Sequence, residues 1–410
     1  MYIPRRHLLK ILVIMIALIV SAILAISYLP DIRPTWIATY WEPEFDYLPD
    51  YARGPQIGAA SALLLEATTG TVLYAKNEHV RRPPASTTKI LTALMALEDG
   101  NLRDIVSISQ RASSVRGSSA HISSKQRIPL GELLYGLLLP SGNDAAVAIA
   151  EHLAGTEAAF MGKMNTRARE LGALNTHFTN PHGLDSPDHY STAFDLAMIT
   201  RVALLYPKFA EAVGQTQHNA DYDGSRWSWY NTNRLLFSFE GAEGVKTGTT
   251  SGAGHCLVAA ASRDGRQLIS VVLASPSRWH ESANLLEYGF KEFHLLPLAE
   301  KGQALASVNV QGGLYQEVTA LAGSTLHKVV RNPDIDDIRS HMIIEKTTAP
   351  IHRGQKIGEV RYTLRDELIG QIPLVAANNV PRPTIFHRLF YGIINLFRAS
   401  PKEYNPQEIA

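Results

Sequence analysis

Three observations on the sequence predict a mixed α+β fold. Strand-like runs stand at both ends of the region 58–295, helical periodicity fills the stretch between them, and only short β-prone segments follow. Strands from both ends with helices inserted imply one sheet covered by helices and carrying a helical subdomain. A small all-β domain over 296–380 and an amphipathic helix over 384–398 complete the expected architecture.

Residues 1–30 read as an export segment. Arg5, Arg6 and Lys10 precede an uncharged apolar run from Ile11 to Leu29, with the basic end placed to stay inside. Ala25-Ile26-Ser27 suits cleavage before Tyr28, yet the run is nearly long enough to span a bilayer, so a cleaved signal peptide and a retained anchor both fit. Either places the remainder outside the cytoplasm. Residues 31–57, rich in Pro, Trp, Tyr and acidic groups without periodicity, read as a stalk or linker.

Within the main domain, Ser61 to Glu66 and Thr71 to Ala75 flank Ala67-Thr68-Thr69-Gly70 as a hairpin. Pro83-Pro84-Ala85 cannot readily continue a helix, whereas Thr88 to Glu98 carries apolar residues at helical spacing, so Ser86 stands where a helix begins. Lys89 then lies three residues on, upon the same face. The stripe Leu130, Leu133, Leu134, Leu137 and Leu138 is broken by Pro140-Ser141-Gly142 and resumes from Ala145 to Leu153. Strands are expected around Val245 to Thr250, His255 to Ala261 and Gln267 to Ala274, followed by a closing helix from Trp279 to Phe293. Past Leu296 the β-prone segments are 306–310, 318–321, 341–344 and 357–362.

Three strings in one order carry the chemistry: Ser86-Thr87-Thr88-Lys89, Ser141-Gly142-Asn143 and Lys246-Thr247-Gly248. Each alone has a plain explanation. Ser86 could merely cap its helix, Asn143 could cap the next, and Lys-Thr-Gly could be a surface turn. Together they supply a hydroxyl nucleophile, an amine to deprotonate it, a polar pair and a second cation, the requirements of acyl transfer without histidine, metal or cofactor. A lysine can serve as base only when neutral, and lowering its pKa from 10.4 to about 7 takes roughly 4 kcal/mol of bias against the ammonium. Burial and a neighbouring cation provide such bias, so Lys89 is expected to be buried near Lys246. Lys246 and Thr247 on an edge strand would hold a substrate carboxylate, with Gly248 letting a ligand backbone approach.

These strings, with Asn180-Pro181-His182-Gly183-Leu184, His189-Tyr190-Ser191-Thr192-Ala193, Asn231-Thr232-Asn233-Arg234-Leu235-Leu236 and the run from Trp279 to Phe290, resemble the serine D-alanyl-D-alanine carboxypeptidases. These are low-molecular-mass penicillin-binding proteins, relatives of the serine β-lactamases. The resemblance implies a β-lactamase-like sheet, Ser86 as acyl-ester nucleophile, Lys89 as its base, Ser141 and Asn143 as partners, and Lys246 as substrate-binding cation. It further implies an oxyanion hole from the backbone N–H groups of Ser86 and Thr249, peptidoglycan stem peptides as substrate and β-lactams as inhibitors. Thr249 departs from the tyrosine or histidine that the family often places after Lys-Thr-Gly. Residues 349–351 and 354–358 resemble the family's C-terminal domain, for which holding the enzyme off the membrane or contacting partners, and simple stabilisation, are equally consistent roles.

Three rivals fit less well. A class A β-lactamase normally carries Ser-Asp-Asn and Glu-x-x-Leu-Asn, whereas here Glu170 precedes Leu174-Asn175 by one residue too many. A non-catalytic peptidoglycan-binding scaffold would not need Ser86 and Lys89. A metallopeptidase is weaker still, since His280-Glu281 lacks a second histidine. Charges nearly cancel at 39 basic and 38 acidic residues, so nucleic acid is not an expected partner. Cys256 is the only cysteine and reads as a small core residue. His121, His152 and His182 are read as structural or surface groups. The 384–398 helix places Ile385, Phe386, Leu389, Phe390, Ile393, Ile394, Leu396 and Phe397 on one broad face, which fits a membrane interface better than core docking. The expected location is the periplasmic face of the cytoplasmic membrane.

Overall fold

The computed structural model describes residues 54–387. The export segment over 1–30, nearly all of the 31–57 stalk and the amphipathic helix from residue 388 onward lie outside the described residues.

The chain opens with β1 (Ser61–Glu66) and β2 (Val72–Lys76), then a 3-10 turn over Ala85–Thr88 leads into α1 (Lys89–Asp99). A short β3 (Ile105–Ser107), α2 (Gln110–Ser113) and β4 (Arg127–Pro129) precede α3 (Leu130–Leu138) and α4 (Asn143–Ala154). The insert continues through α5 (Glu157–Glu170), α6 (Ala193–Leu204), α7 (Pro207–Gly214), the ribbon β5 (Gln217–Tyr222) and β6 (Ser225–Tyr230), and α8 (Leu235–Ser238). Three long strands return, β7 (Ala242–Thr250), β8 (Gly254–Arg263) and β9 (Arg266–Leu273), closed by α9 (Arg278–Glu292).

These strands form one antiparallel sheet in the order β2-β1-β9-β8-β7. Every residue of β1 is buried, as is expected of a strand covered on both faces. Leu64, Leu257, Ala259, Leu268 and Val272 form one core with Leu285 and Leu286 of α9. On the other side lie the helices of the insert, so the sheet is the middle layer of three. Strand β7 is left at the edge, facing the insert. At the β1–β2 turn Gly70 takes φ 78, the left-handed backbone that a tight hairpin requires.

Over residues 293–376 the elements are all β-strands apart from one 3-10 turn. β10 (Phe293–Ala299) pairs with β13 (Leu326–Arg331), and a second sheet runs β11-β12-β16-β15-β14, built from Ala304–Asn309, Glu317–Ala322, Glu367–Ala376, Lys356–Leu364 and Ile338–Ile344. Its core gathers Val308, Val318, Ala320, Ile357, Val360, Ile372 and Leu374. Among the described residues no helix is long and apolar enough to cross a membrane.

Details differ from the pattern reading. The first helical residues form a tight 3-10 turn before α1, the closing helix ends at Glu292 so that Phe293 opens a strand, and the β5–β6 ribbon was not foreseen. That ribbon is mostly polar, and its inner residues Ala220 and Trp229 are too few to produce a legible apolar alternation.

Candidate active site

Ser86 sits in the 3-10 turn, three residues before Lys89, where the turn packs against β7; the space between β7 and the insert is called the crevice below. The turn is held by its own hydroxyls, since Thr87 Oγ1 donates to the Pro84 carbonyl at 2.7 Å and Thr88 Oγ1 to the Ala85 carbonyl at 2.8 Å. Ala85 has φ 49, and Gly183, with φ 92, packs directly on it. A Cβ on Gly183 would lie 1.9 Å from the Ala85 oxygen. Neither strand β7 nor the 180–184 loop therefore leaves this turn room to shift.

Lys89 is fully buried. Its Nζ lies 3.0 Å from Ser86 Oγ, 2.7 Å from Asn143 Oδ1 and 2.7 Å from the His182 carbonyl oxygen. Burial first, and the charge of Lys246 second, hold the Lys89 ammonium well below the usual lysine range, with Asp144 opposing them. A neutral amine has two N–H donors and one lone pair. The Asn143 and His182 oxygens can only accept, so they take the two donors, and the lone pair is left for the hydroxyl proton of Ser86.

Asn143 opens α4 but does not cap it; Gly142 occupies the cap position and no side chain bonds there. The Asn143 amide instead spans the crevice floor, accepting from Lys89 and donating from Nδ2 to the Arg116 carbonyl at 2.7 Å. Ser141 takes φ 66, and its buried Oγ has no hydrogen-bond partner among the described residues. An unpaired buried hydroxyl costs stability, which is expected where a ligand or proton is to be received. Asp144 braces the floor by accepting from Ser119 Oγ and the backbone N–H groups of Ala120 and Ile122.

On the sheet side Lys246 is 1 % exposed, and burial and then the Arg278 charge bring its pKa down to about 7. Thr247 Oγ1 lies 2.7 Å from Thr232 Oγ1, so the 231–236 string supports this strand from the insert. Thr249 is exposed at the crevice mouth, where its Oγ1 accepts from Arg278 at 2.7 Å. Arg278 also donates to the Gly248 carbonyl at 2.9 Å. A Cβ on Gly248 would meet Ala85 Cβ and the Pro84 oxygen at 3.0 Å, so glycine is needed for β7 to lie against the turn that holds Ser86.

Ser86 and Asn143 are thus both hydrogen-bonded to Lys89 Nζ, Gly248 packs on the Ser86 turn, Lys246 lies near enough for its charge to act on Lys89, Thr247 and Thr249 flank Gly248 on β7, and Ser141 lies two residues before Asn143. Three contributors escaped the sequence reading. His182 acts through a main-chain carbonyl, which no residue type advertises, and its buried ring is pushed down to about 3 by burial and the Lys89 charge. Asp144 follows an asparagine already singled out. Arg278 opens the closing helix, where a basic residue is otherwise unremarked. Glu170 pairs with Arg167 on the surface of α5, and Cys256 is buried in β8, where burial pushes its thiol up to about 11.

The family model for D-alanyl-D-alanine carboxypeptidase matches residues 49–277, and that for the penicillin-binding protein 5 C-terminal domain matches residues 293–382. Among curated relatives, the D-alanyl-D-alanine carboxypeptidase DacF of Bacillus subtilis is 33% identical over 335 residues, covering 79% of this chain and 86% of the relative. Escherichia coli DacC is 32% identical over 360 residues, covering 84% and 89%. Among solved structures, penicillin-binding protein 5 from Haemophilus influenzae superposes with a TM-score of 0.69 at 31% identity, covering 80% of this chain and 99% of that one. Penicillin-binding protein 6B from Escherichia coli does so with a TM-score of 0.66 at 30% identity, covering 80% and 99%.

Proposed function

This chain belongs to the D-alanyl-D-alanine carboxypeptidase family and is a serine-type hydrolase of peptidoglycan stem peptides that β-lactams inhibit; from that premise we propose how its own residues divide the work. Ser86 is the nucleophile and Lys89 its general base. The observation that carries this is the pair of acceptor-only oxygens, Asn143 Oδ1 and His182 O, which aim the Lys89 lone pair at the Ser86 hydroxyl.

Ser86 Oγ attacks the carbonyl between the two terminal D-alanines while its proton passes to Lys89 Nζ. The developing oxyanion is held by the backbone N–H groups of Ser86 and Thr249. Collapse breaks the peptide bond, and the leaving amine takes a proton relayed through Ser141, whose Oγ is buried without another partner. Water then adds to the ester, Lys89 again accepts a proton, and Ser86 is released. Lys246, Thr247 and Arg278 bind the terminal carboxylate, and a penicillin carboxylate takes the same place. Incubation with a stem pentapeptide is expected to release one D-alanine, and the penicillin adduct is expected on the peptide containing Ser86 by mass mapping. An adduct elsewhere would remove the assignment.

The second-order rate of acylation is expected to be bell-shaped in pH. On the acid side it rises as Lys89 loses its proton, because only the neutral amine is a base. On the alkaline side it falls above about 7 as Lys246 becomes neutral and no longer attracts the carboxylate. The maximal rate at saturation should keep the acid limb and lose much of the alkaline one, since a bound carboxylate retains the proton on Lys246. A second-order rate that climbs steadily through neutral pH would exclude Lys246 as the binding cation.

The domain division and the cellular setting complete the proposal. Residues 58–295 form the catalytic domain and 296–380 the β domain, with the export segment and the 384–398 helix keeping the enzyme at the periplasmic face of the membrane. Deleting residues from Thr384 onward together with the apolar run should release the protein from membranes.

A further inference from the structure

Ala85 keeps a left-handed backbone, φ 49, immediately before the nucleophile, a conformation that residues with a Cβ avoid. A buried chain of polar atoms fixes its carbonyl. Thr88 Oγ1 lies 2.8 Å from the Ala85 oxygen and 2.9 Å from His189 Nε2. The other ring nitrogen, Nδ1, accepts the backbone N–H of Thr179 at 3.0 Å and so carries no proton. Burial keeps the imidazole neutral by lowering its pKa to about 4. The single ring proton is therefore on Nε2, and every direction follows: Nε2–H donates to Thr88 Oγ1, and the Thr88 hydroxyl donates to the Ala85 carbonyl. His189 is 2% exposed and Thr88 fully buried, so water does not compete for these bonds.

The Ala85 carbonyl and the Ser86 N–H belong to one planar trans peptide and point in opposite directions. Holding the oxygen inward aims the N–H outward, into the crevice. Glycines keep its approach open, because a Cβ on Gly183 or Gly248 would stand 2.9 or 3.1 Å from Ser86 N. We propose that His189 and Thr88 are positioning residues for acylation, a directional relay that orients the Ser86 oxyanion donor through the shared peptide plane. The inference rests on the assignment of Ser86 N–H as an oxyanion donor given above.

Thr88→Val keeps the side chain's shape and removes its hydroxyl. In rapid-mixing experiments with penicillin, the acylation rate constant of this variant is expected to fall about 10–100-fold, while the preceding non-covalent dissociation constant moves less than about 3-fold. Thr88→Ser should recover most of the rate. Affinity for a D-alanine-derived boronic acid, whose adduct on Ser86 places an oxygen in the oxyanion hole, should fall in the same ratio as the rate. His189→Leu should reproduce the loss, and combining it with Thr88→Val should cost little more, since both cut one relay. If Thr88→Val does not fold, His189→Leu is read in the same way.

A relay of packing value alone would lower the denaturation midpoint yet leave the rate constant per folded molecule and the boronate affinity unchanged. That result, or losses that add in the double variant, would overturn the proposal. A penicillin adduct mapped away from Ser86 in the unaltered enzyme would instead remove the catalytic assignment on which it rests.

Discussion

Lys89→Arg is expected to slow acylation by penicillin about a thousandfold or more, approaching the loss caused by Ser86→Ala. Positive charge is not what this position requires. Lys89 lies in a fully buried pocket with two acceptor-only oxygens and one hydroxyl, and burial together with Lys246 drives it toward the neutral amine. A guanidinium does not give up its proton in a protein, and it is planar and larger than the space an ammonium fills. The variant would retain a cation that cannot accept the Ser86 proton. Because Ser86 and Lys89 act as one unit, the double variant should be no slower than the slower single one. The measurement is the rate of covalent labelling by a fluorescent penicillin; labelling of Lys89→Arg within tenfold of the unaltered enzyme would exclude Lys89 as the base.

Gly183→Ala is expected to lower stability by about 3 kcal/mol and acylation by about a hundredfold. Two costs coincide. At φ 92 any Cβ is strained, and this one would fall 1.9 Å from the Ala85 oxygen and 2.3 Å from its carbonyl carbon. Both are backbone atoms, which cannot swing aside as a side-chain end can. Relief must come from moving the 180–184 loop, which carries the His182 carbonyl, or the turn that carries Ser86. Either displaces a contact that Lys89 needs. Chemical denaturation and labelling rate should therefore fall together, whereas loss of stability with normal labelling would show that the loop can move without disturbing Lys89.

Much of this site is legible in the sequence because its chemistry is local. Ser86 and Lys89 share a helical face by spacing alone, and Asn143 and Lys246 lie in strings too polar for the apolar runs around them. The burial of Lys89 beside Lys246 follows from what a lysine base must be. Less legible are contributions made by the main chain. Any residue can offer a carbonyl, so His182 invites attention to its imidazole when its oxygen is the part that touches Lys89. His189 appears in a string but shows its function only once Thr179, Thr88 and Ala85 surround it. The strand segments are recognisable from β-branched content, but their order β2-β1-β9-β8-β7 is not, since it depends on which edges the inserted helices leave available. The β5–β6 ribbon escapes for the opposite reason: its partners are polar and half-exposed, so no hydrophobic period marks it.

Strand β1 pairs with β9 from Ser61 against Leu273 to Glu66 against Leu268. Along the chain the turn and helix that hold Ser86 and Lys89 therefore come well before the strands beside which they lie. Helical stretches can form as they emerge, but the middle layer waits for its last members, and topologies with such distant pairing assemble slowly. A chain lacking residues 246 onward would carry Ser86 and Lys89 three residues apart yet lack Lys246 and the edge strand β7 beside which their turn packs. The sheet that opens at Ser61 is therefore complete only when residues 242–273 have joined it.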